Sequence, residues 1–140
     1  MNKFLLDTDI FSEVKKGINR NVVQKARLYE LYHEKFTISI FTVSEVLKGF
    51  QKIKNSMKIK NFIEKEILEL EVLDFTLEAS KISGLILADL ERTGSSIGVF
   101  DVLIASIAIS NSLPLATGNT DHYQKIKNLG YPIVLENWKL

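Results

Sequence analysis

The sequence contains no cysteine, only two histidines and two prolines, and seven glycines among its 140 residues. Without cysteine the chain can form no disulfide bond, no thiolate metal site and no cysteine nucleophile. The two histidines, His33 and His122, are too few for a histidine-rich zinc site. The scarcity of proline and glycine leaves little room for long flexible linkers.

An excess of charge of one sign is also missing. Eighteen basic and seventeen acidic residues give a net charge of +1, so bulk charge does not indicate a nucleic-acid-binding protein. Apolar residues make up 46% of the chain and charged residues 25%, which is typical of soluble globular proteins. One domain over residues 1–140 is expected at this length. Apolar runs are too short for a membrane span or a signal peptide, so we expect a cytoplasmic protein.

The spacing of apolar residues predicts strands that alternate with helices. Short apolar and β-branched runs predict five strands, at 3–7, 36–40, 71–75, 114–117 and 133–135. Helical spacing predicts helices at 9–16, 20–33, 42–52, 56–69, 77–91, 98–112 and 120–128. This alternation favours an α/β fold with a parallel sheet between helices. Ligands bind beyond the carboxyl ends of such strands, so acids that follow strands are candidate site residues.

Asp101 is the only charged side chain between Gly98 and Ser112. A helix this apolar is expected to be mostly buried. An ionised carboxylate in such a helix is strongly destabilising unless it is paired or bound to a metal ion. Ala105 and Ala108 continue its helical face and are expected to leave space in front of the carboxylate. A functional role is favoured, and the alternative is an acid in the first turn that interacts with the helix dipole.

Two further acids have a functional and a structural interpretation. Asp7 follows the first predicted strand, and either Asp7 or Asp9 can cap the helix after it. Glu45 completes a capping box that begins at Thr42. These residues alone leave the role of Asp7 open and favour a structural role for Glu45.

A polar loop follows the fourth predicted strand. Thr117, Asn119 and Asp121 have short polar side chains at the point where the sheet opens to ligands. The alternative is an ordinary loop in which Asn119 or Thr120 caps the next helix.

The candidate acids and this loop are expected to converge on one edge of the sheet. Acids gathered there without compensating basic residues repel one another, and Mg²⁺ or Mn²⁺ relieves that repulsion because both prefer oxygen ligands. Such a site can activate a water nucleophile and stabilise phosphoryl transfer.

Four blocks of the sequence resemble the signature blocks of PIN-domain ribonucleases, most closely the VapC-type toxins of bacterial toxin–antitoxin pairs. The blocks are FLLDTDIFSE (4–13), ISIFTVSEVLKG (38–49), GVFDVLIASIA (98–108) and LPLATGNTDHY (113–123). The chain's ending, VLENW, is similar as well. The resemblance implies a three-layer α/β/α sandwich with a parallel central sheet. It also implies a Mg²⁺- or Mn²⁺-dependent endoribonuclease.

The resemblance assigns roles by motif to particular residues. It implies that Asp7, Glu45 and Asp101 are catalytic acids and metal ligands, and it favours the metal role of Glu45 over the capping role. Asp121 is included among the catalytic residues, because some relatives place an acid in this part of the fourth block.

The fourth block departs from the family pattern. Many relatives have an acid two residues after Thr117, and that residue is Asn119 here. The fourth ligand is then either Asp121, reaching a second metal ion, or Asn119, holding a metal-bound water. Asp9 is an additional acid near the site, which either adds charge to the metal cluster or caps the helix. Asp9, Thr117 and Asn119 are therefore secondary candidates.

Lysines are concentrated after Glu45, with five lysines and no acid before Glu64. Most such runs are solvated helical faces. Because this one adjoins a candidate metal ligand, we expect Lys48, Lys52 and Lys54 to hold the phosphate backbone of RNA.

The resemblance also implies partners. A cognate antitoxin that blocks the acidic site is expected, and so is a homodimer. Two alternatives remain for the function: a structure-specific DNA nuclease with a similar acidic pocket, and a non-catalytic binding domain with a PIN-like fold.

Overall fold

The computed structural model describes all 140 residues, and its centre is one parallel sheet. The strands are β1 (Leu5–Leu6), β2 (Thr37–Ser39), β3 (Glu71–Leu73), β4 (Leu115–Ala116) and β5 (Leu135–Glu136). Their order in the sheet is β3-β2-β1-β4-β5, and every pair is parallel. The five predicted strands and the parallel sheet are confirmed, although the last strand begins two residues later than expected.

Seven α-helices and one 3₁₀ helix surround the sheet. The α-helices are α1 (Thr8–Lys16), α2 (Arg20–Tyr32), α3 (Ile40–Lys52), α4 (Ser56–Glu64), α5 (Leu77–Arg92), α6 (Val99–Ser110) and α7 (Thr120–Asn128). The 3₁₀ helix covers Glu66–Glu69. No helix is both long enough and apolar enough to cross a membrane.

The helices form one layer on each face of the sheet. Successive residues of a strand point to opposite faces, so Leu5 packs in one core and Leu6 in the other. The core that contains Leu5 includes buried residues of α5, α6 and α7. The core that contains Leu6 includes buried residues of α1, α2, α3 and α4. The predicted three-layer α/β/α sandwich is confirmed.

The direction in which the chain adds strands reverses at β1. The chain first builds outward from β1 through β2 to β3, and then returns to place β4 on the other side of β1. Sheets of this kind have a crevice at such a reversal, beyond the carboxyl ends of the strands. Asp7 directly follows β1 and Thr117 directly follows β4, so both residues lie at that crevice.

Helix caps explain where several helices begin. Asn19 caps α2 and Thr76 caps α5 through their side-chain oxygens. The capping box expected at Thr42 is wrong. Ser39, still extended at the end of β2, accepts a hydrogen bond from the Thr42 backbone N–H at 3.1 Å. Helix α3 therefore starts at Ile40, inside the apolar run that reads as a strand.

The single helix expected over 56–69 is also wrong. Helix α4 ends at Glu64, and Lys65 leaves helical geometry with φ −126° and ψ −59°. The break turns the chain so that Ile67 and Leu70 pack against the same core as Phe62. Leu70 then leads directly into β3.

The cap of α5 gives a test of the fold. We expect Thr76→Ala to destabilise the protein by about 1 kcal/mol, because the N–H of Ala79 loses its 3.2 Å acceptor. For a domain of this size the midpoint of thermal unfolding falls by about 4 °C. Thr76→Ser keeps the hydroxyl and serves as the control. An unchanged midpoint in Thr76→Ala would contradict the assigned cap.

Candidate active site

Asp7 is the buried centre of the site. The residue is only 6% exposed. Its two carboxylate oxygens accept hydrogen bonds from different donors. Oδ1 accepts from the Thr8 backbone N–H at 2.9 Å, which caps α1, and Oδ2 accepts from the Thr117 hydroxyl at 2.9 Å. The capping interpretation of Asp7 is therefore confirmed. It leaves room for a functional role, because the second oxygen faces the crevice between β1 and β4.

The charge of Asp7 is not neutralised by any basic group. Burial is the largest cause that raises the pKa of Asp7 from its usual 3.8 to about 7, and the neighbouring Asp9 and Asp101 contribute to this rise. The hydrogen bonds from Thr117 and Thr8 oppose this shift without cancelling it. The site thus holds a carboxyl group whose ionised form is unfavourable in the absence of a cation.

Asp101 enters the site from the first turn of α6. Its Oδ2 lies 2.9 Å from His122 Nε2, and its Oδ1 accepts a hydrogen bond from the Tyr123 hydroxyl at 3.3 Å. The side chain is 32% exposed, which is more than the apolar sequence around it suggests. Ala105 and Ala108 are fully buried in the core, so the expected space in front of the carboxylate is not formed by these alanines.

Tyr123 connects the two aspartates. It is fully buried, and its hydroxyl contacts Asp101 while lying close enough to Asp7 for both carboxylates to act on it. Burial and these two negative charges raise the pKa of Tyr123 above its usual range. The phenol therefore stays protonated and donates its proton toward the carboxylates.

Glu45 is tied to the same edge through hydroxyl groups. The Thr8 hydroxyl donates to Glu45 Oε1 at 2.7 Å and lies 2.9 Å from the Thr42 hydroxyl. Because the Thr8 proton goes to the carboxylate, Thr42 is the donor in the second bond. Glu45 is thus held beside the start of α1 by Thr8, the residue that follows Asp7 in the sequence. Its side chain does not reach back to cap its own helix.

Asp9 has a structural role that its sequence position left open. Its Oδ2 accepts from the Gly118 backbone N–H at 2.9 Å, and its Oδ1 accepts from the Ile10 N–H at 2.7 Å. Lys139 Nζ lies 4.0 Å from Oδ2. Burial raises the pKa of Asp9, and the two backbone hydrogen bonds oppose the shift. A Cβ atom at Gly118 would lie 2.7 Å from Oδ2, so the absence of a side chain there allows this contact.

The remaining residues of the fourth block face solvent. Asn119 is exposed, and its backbone N–H donates to the Thr117 hydroxyl at 3.0 Å while its side chain caps nothing. Asp121 is exposed in the first turn of α7. Neither side chain forms a hydrogen bond with the acidic cluster. Their predicted roles as alternative fourth ligands stay predictions.

The donor set fits a hard divalent cation in charge and in chemistry. The carboxylates of Asp7, Glu45 and Asp101 stand around the same edge of the sheet, and no basic group compensates the charge of Asp7. As the side chains stand, no three acidic or imidazole groups are close enough to hold one metal ion together. The three-ligand set therefore also stays a prediction.

A groove of about 950 Å³ opens beside Glu45, between α1, α3 and α4. Lys15 lies in it, with Nζ 4.9 Å from the ring centres of both Phe50 and Phe62, and Lys58 also lines it. The predicted RNA-binding residues are exposed on or just after α3 and do not line the groove: Lys48, Lys52 and Lys54.

Three groups of the site were not among the candidate site residues from the sequence, namely Thr8, His122 and Tyr123. Thr8 follows the first acid directly, and the other two lie in the first turn of a predicted helix. That placement in the fourth block was the available signal. Which acid each side chain meets depends on tertiary packing, which periodicity does not report.

Asp7 gives the site a testable pH dependence. Its folded pKa lies above its unfolded pKa, so in EDTA the stability contribution is present below about pH 4 and is lost as the pH rises through about 7. Asp7→Asn removes the charge. We expect this variant to exceed the wild type in free energy of unfolding at pH 8, by at least about 1 kcal/mol, and to approach it at pH 5.

Urea unfolding at the two pH values measures this difference. Asp74→Asn is the matched control, because Asp74 follows β3 at the same sheet edge but is exposed. A variant advantage equal at pH 5 and pH 8 would contradict a raised pKa of Asp7.

The chain is similar to known proteins over most of its length. The model of the PIN domain family matches residues 4–128. The tRNA(fMet)-specific endonuclease VapC of Shigella flexneri is 32% identical over 129 residues, which cover 92% of this chain and 96% of that protein. Ribonuclease VapC2 of Rickettsia felis is 31% identical over 137 residues, which cover 96% and 97%.

A solved structure extends the likeness to the fold. VapBC2 from Rickettsia felis, crystallised with a DNA fragment from their promoter, matches with a TM-score of 0.81 at 26% identity. The match covers 98% of this chain and 99% of that chain. With the family match and relatives above 30% identity over nearly the whole chain, this protein belongs to the PIN domain family, as its four sequence blocks predict.

Proposed function

We propose that this protein is an endoribonuclease toxin of a toxin–antitoxin pair, and that it hydrolyses RNA with the help of Mg²⁺ or Mn²⁺. The observation that carries the proposal is the buried, uncompensated carboxyl of Asp7 at the point where the sheet reverses direction. The names of the relatives, a VapC endonuclease and a ribonuclease VapC2, support the ribonuclease activity.

The chain's own residues supply the binding groups. Asp7 and Asp101 offer carboxylate oxygens from the end of β1 and the start of α6. Glu45 Oε1 accepts the Thr8 hydroxyl, so Oε2 is the oxygen available for a cation or for a proton of an attacking water. When bound, Mg²⁺ or Mn²⁺ lowers the pKa of water and stabilises the charge that develops on the phosphate.

The groove beside Glu45 is the proposed path of the RNA. It begins at Thr8 and Glu45 and continues past Lys15, Phe50 and Lys58. Ammonium groups bind phosphates, and an aromatic ring offers a surface for a base. The exposed lysines at 48, 52 and 54 lie outside the groove, on or just after α3, the helix that also carries Glu45.

Two protein partners are part of the proposal. The VapBC2 structure is a toxin–antitoxin assembly, which supports a cognate antitoxin for this chain. Large apolar side chains on α5 and α6 are exposed, namely Leu77, Leu85, Val99 and Phe100. Exposed apolar groups of this kind support burial in a homodimer.

The central test is Asp101→Asn. The substitution preserves the shape and removes one negative charge, so we expect metal-dependent RNA cleavage to fall at least about 100-fold. In EDTA the melting temperature should stay level or rise, because repulsion with Asp7 decreases. Asp74→Asn should cleave at the wild-type rate.

Cleavage of a labelled RNA with Mg²⁺, with Mn²⁺ and with EDTA measures the activity. Wild-type activity in Asp101→Asn, or a melting temperature far below wild type in EDTA, would refute the assignment. Cleavage of structured DNA in place of RNA would favour a DNA nuclease, and no cleavage of either would favour a binding domain.

The lysines can be tested through salt dependence. The slope of log K against log salt for RNA binding is negative. Replacing Lys48, Lys52 and Lys54 by Glu should make it less negative by about 2, which corresponds to one lost phosphate contact per lysine. Lys81→Glu, on α5 in the opposite helical layer, serves as the control and should leave the slope near its wild-type value. Filter binding or fluorescence anisotropy at four salt concentrations gives the slopes. Equal slopes for the triple variant and the wild type would contradict the phosphate-binding role of these lysines.

A further inference from the structure

We propose that His122 and Tyr123, consecutive residues in the first turn of α7, are positioning residues that hold the Asp101 carboxylate in the orientation needed to bind the cation. The proposal rests on the metal-dependent function proposed above. It assigns α7 a role in orienting a ligand, and not in supplying a fourth one.

Each of the two residues meets a different oxygen of Asp101. The Tyr123 hydroxyl donates to Oδ1 at 3.3 Å, and His122 Nε2 lies 2.9 Å from Oδ2. Nε2 is shielded from solvent and forms no well-aligned hydrogen bond, so the Asp101 carboxylate is the polar group that it contacts. Contacts at both oxygens oppose rotation of the carboxylate about its Cβ–Cγ bond.

The helix that carries these residues is firmly placed. Tyr123 and Ile126 are fully buried in the core formed by α5, α6 and α7. The ring of Tyr123 fills that core, whereas its hydroxyl sits beside Asp7 and Asp101. Packing alone requires only the ring, because a phenylalanine fills nearly the same space. The hydroxyl in this position is therefore explained by its contact with the acids.

Such contacts influence cation binding even though the cation does not touch them. Hydrogen-bond partners of a ligand fix its orientation, and their loss typically weakens metal affinity about 10–100-fold. Because α7 contacts both oxygens of Asp101, Tyr123 and His122 set the orientation of this carboxylate beside Asp7. The exposed neighbour Asp121 makes no comparable contact.

Binding of Mn²⁺ to the full chain, without RNA, tests the proposal. We expect His122→Ala and Tyr123→Phe each to raise the dissociation constant for Mn²⁺ about tenfold. Titration calorimetry, or the electron paramagnetic resonance signal of free Mn²⁺, measures this constant. His122→Gln retains an N–H donor and should recover part of the loss. Gln124→Ala, an exposed position on the same helix, is the control and should bind as the wild type does.

The outcomes separate this proposal from the one it rests on. If the wild type binds Mn²⁺ and both variants bind equally well, the positioning role is wrong and the metal site stands. If the wild type binds no Mn²⁺, both proposals fail. A ¹⁴N coupling to an imidazole in the pulsed resonance spectrum of bound Mn²⁺ would make His122 a direct ligand and overturn its positioning role. Tyr123→Phe keeps the buried ring, so its result is decisive even if His122→Ala does not fold.

Discussion

The hydrogen bond from Thr117 to Asp7 joins the ends of two adjacent strands, β4 and β1, although the two residues lie 110 positions apart in the sequence. It holds a carboxylate at the reversal point of the sheet, in a residue that is almost fully buried. Two polar donors are too few to stabilise the ionised form there, and the nearby acids make it less stable still. A site of this kind is maintained at a cost in stability, which is expected where function requires it.

The rest of the edge is arranged around this residue. Thr8 links Glu45 to the start of α1, and Asp9 ties the loop after β4 through the Gly118 amide. Tyr123 and His122 meet Asp101 from α7. Three acids thus reach the site on different elements, and a fourth holds the backbone in place. The hydrogen bonds of these acids differ by degree: Asp9 accepts two backbone N–H groups, Asp7 accepts one together with a hydroxyl, and Asp101 contacts only side chains.

The fold followed from periodicity more completely than the site did. Alternating strands and helices identified the sandwich, because each face of the sheet must be covered by apolar helix surface. The failures were local. Ile40 and Phe41 suit a strand by composition, but the Ser39 cap begins the helix one turn before Thr42. The helix expected to reach residue 69 breaks at Lys65, because packing of Ile67 outweighs continued helical hydrogen bonding.

For the site, sequence position identified which acids stand at the sheet edge but not what each one contacts. The sequence left Asp9 open between adding charge to the acidic cluster and capping the helix, and neither alternative contains its hydrogen bond from the Gly118 backbone N–H. The lysines chosen by their density after Glu45 lie outside the groove, whereas Lys15 lies inside it from a different helix. Both differences arise from contacts between residues distant in sequence, which no local pattern contains.

The proposed cation site is tested most directly by the protons released when Mn²⁺ binds. Because the pKa of Asp7 is raised to about 7 by burial and like charges, most Asp7 carboxyls are protonated at pH 6 and must ionise to bind a cation. Titration calorimetry in buffers of different ionisation enthalpy measures the number of protons released per bound Mn²⁺ ion. We expect release of roughly one proton per ion at pH 6 and close to none at pH 8.5, with the pH dependence absent in Asp7→Asn. Binding without pH-dependent proton release, or no binding at all, would contradict a cation site built on Asp7.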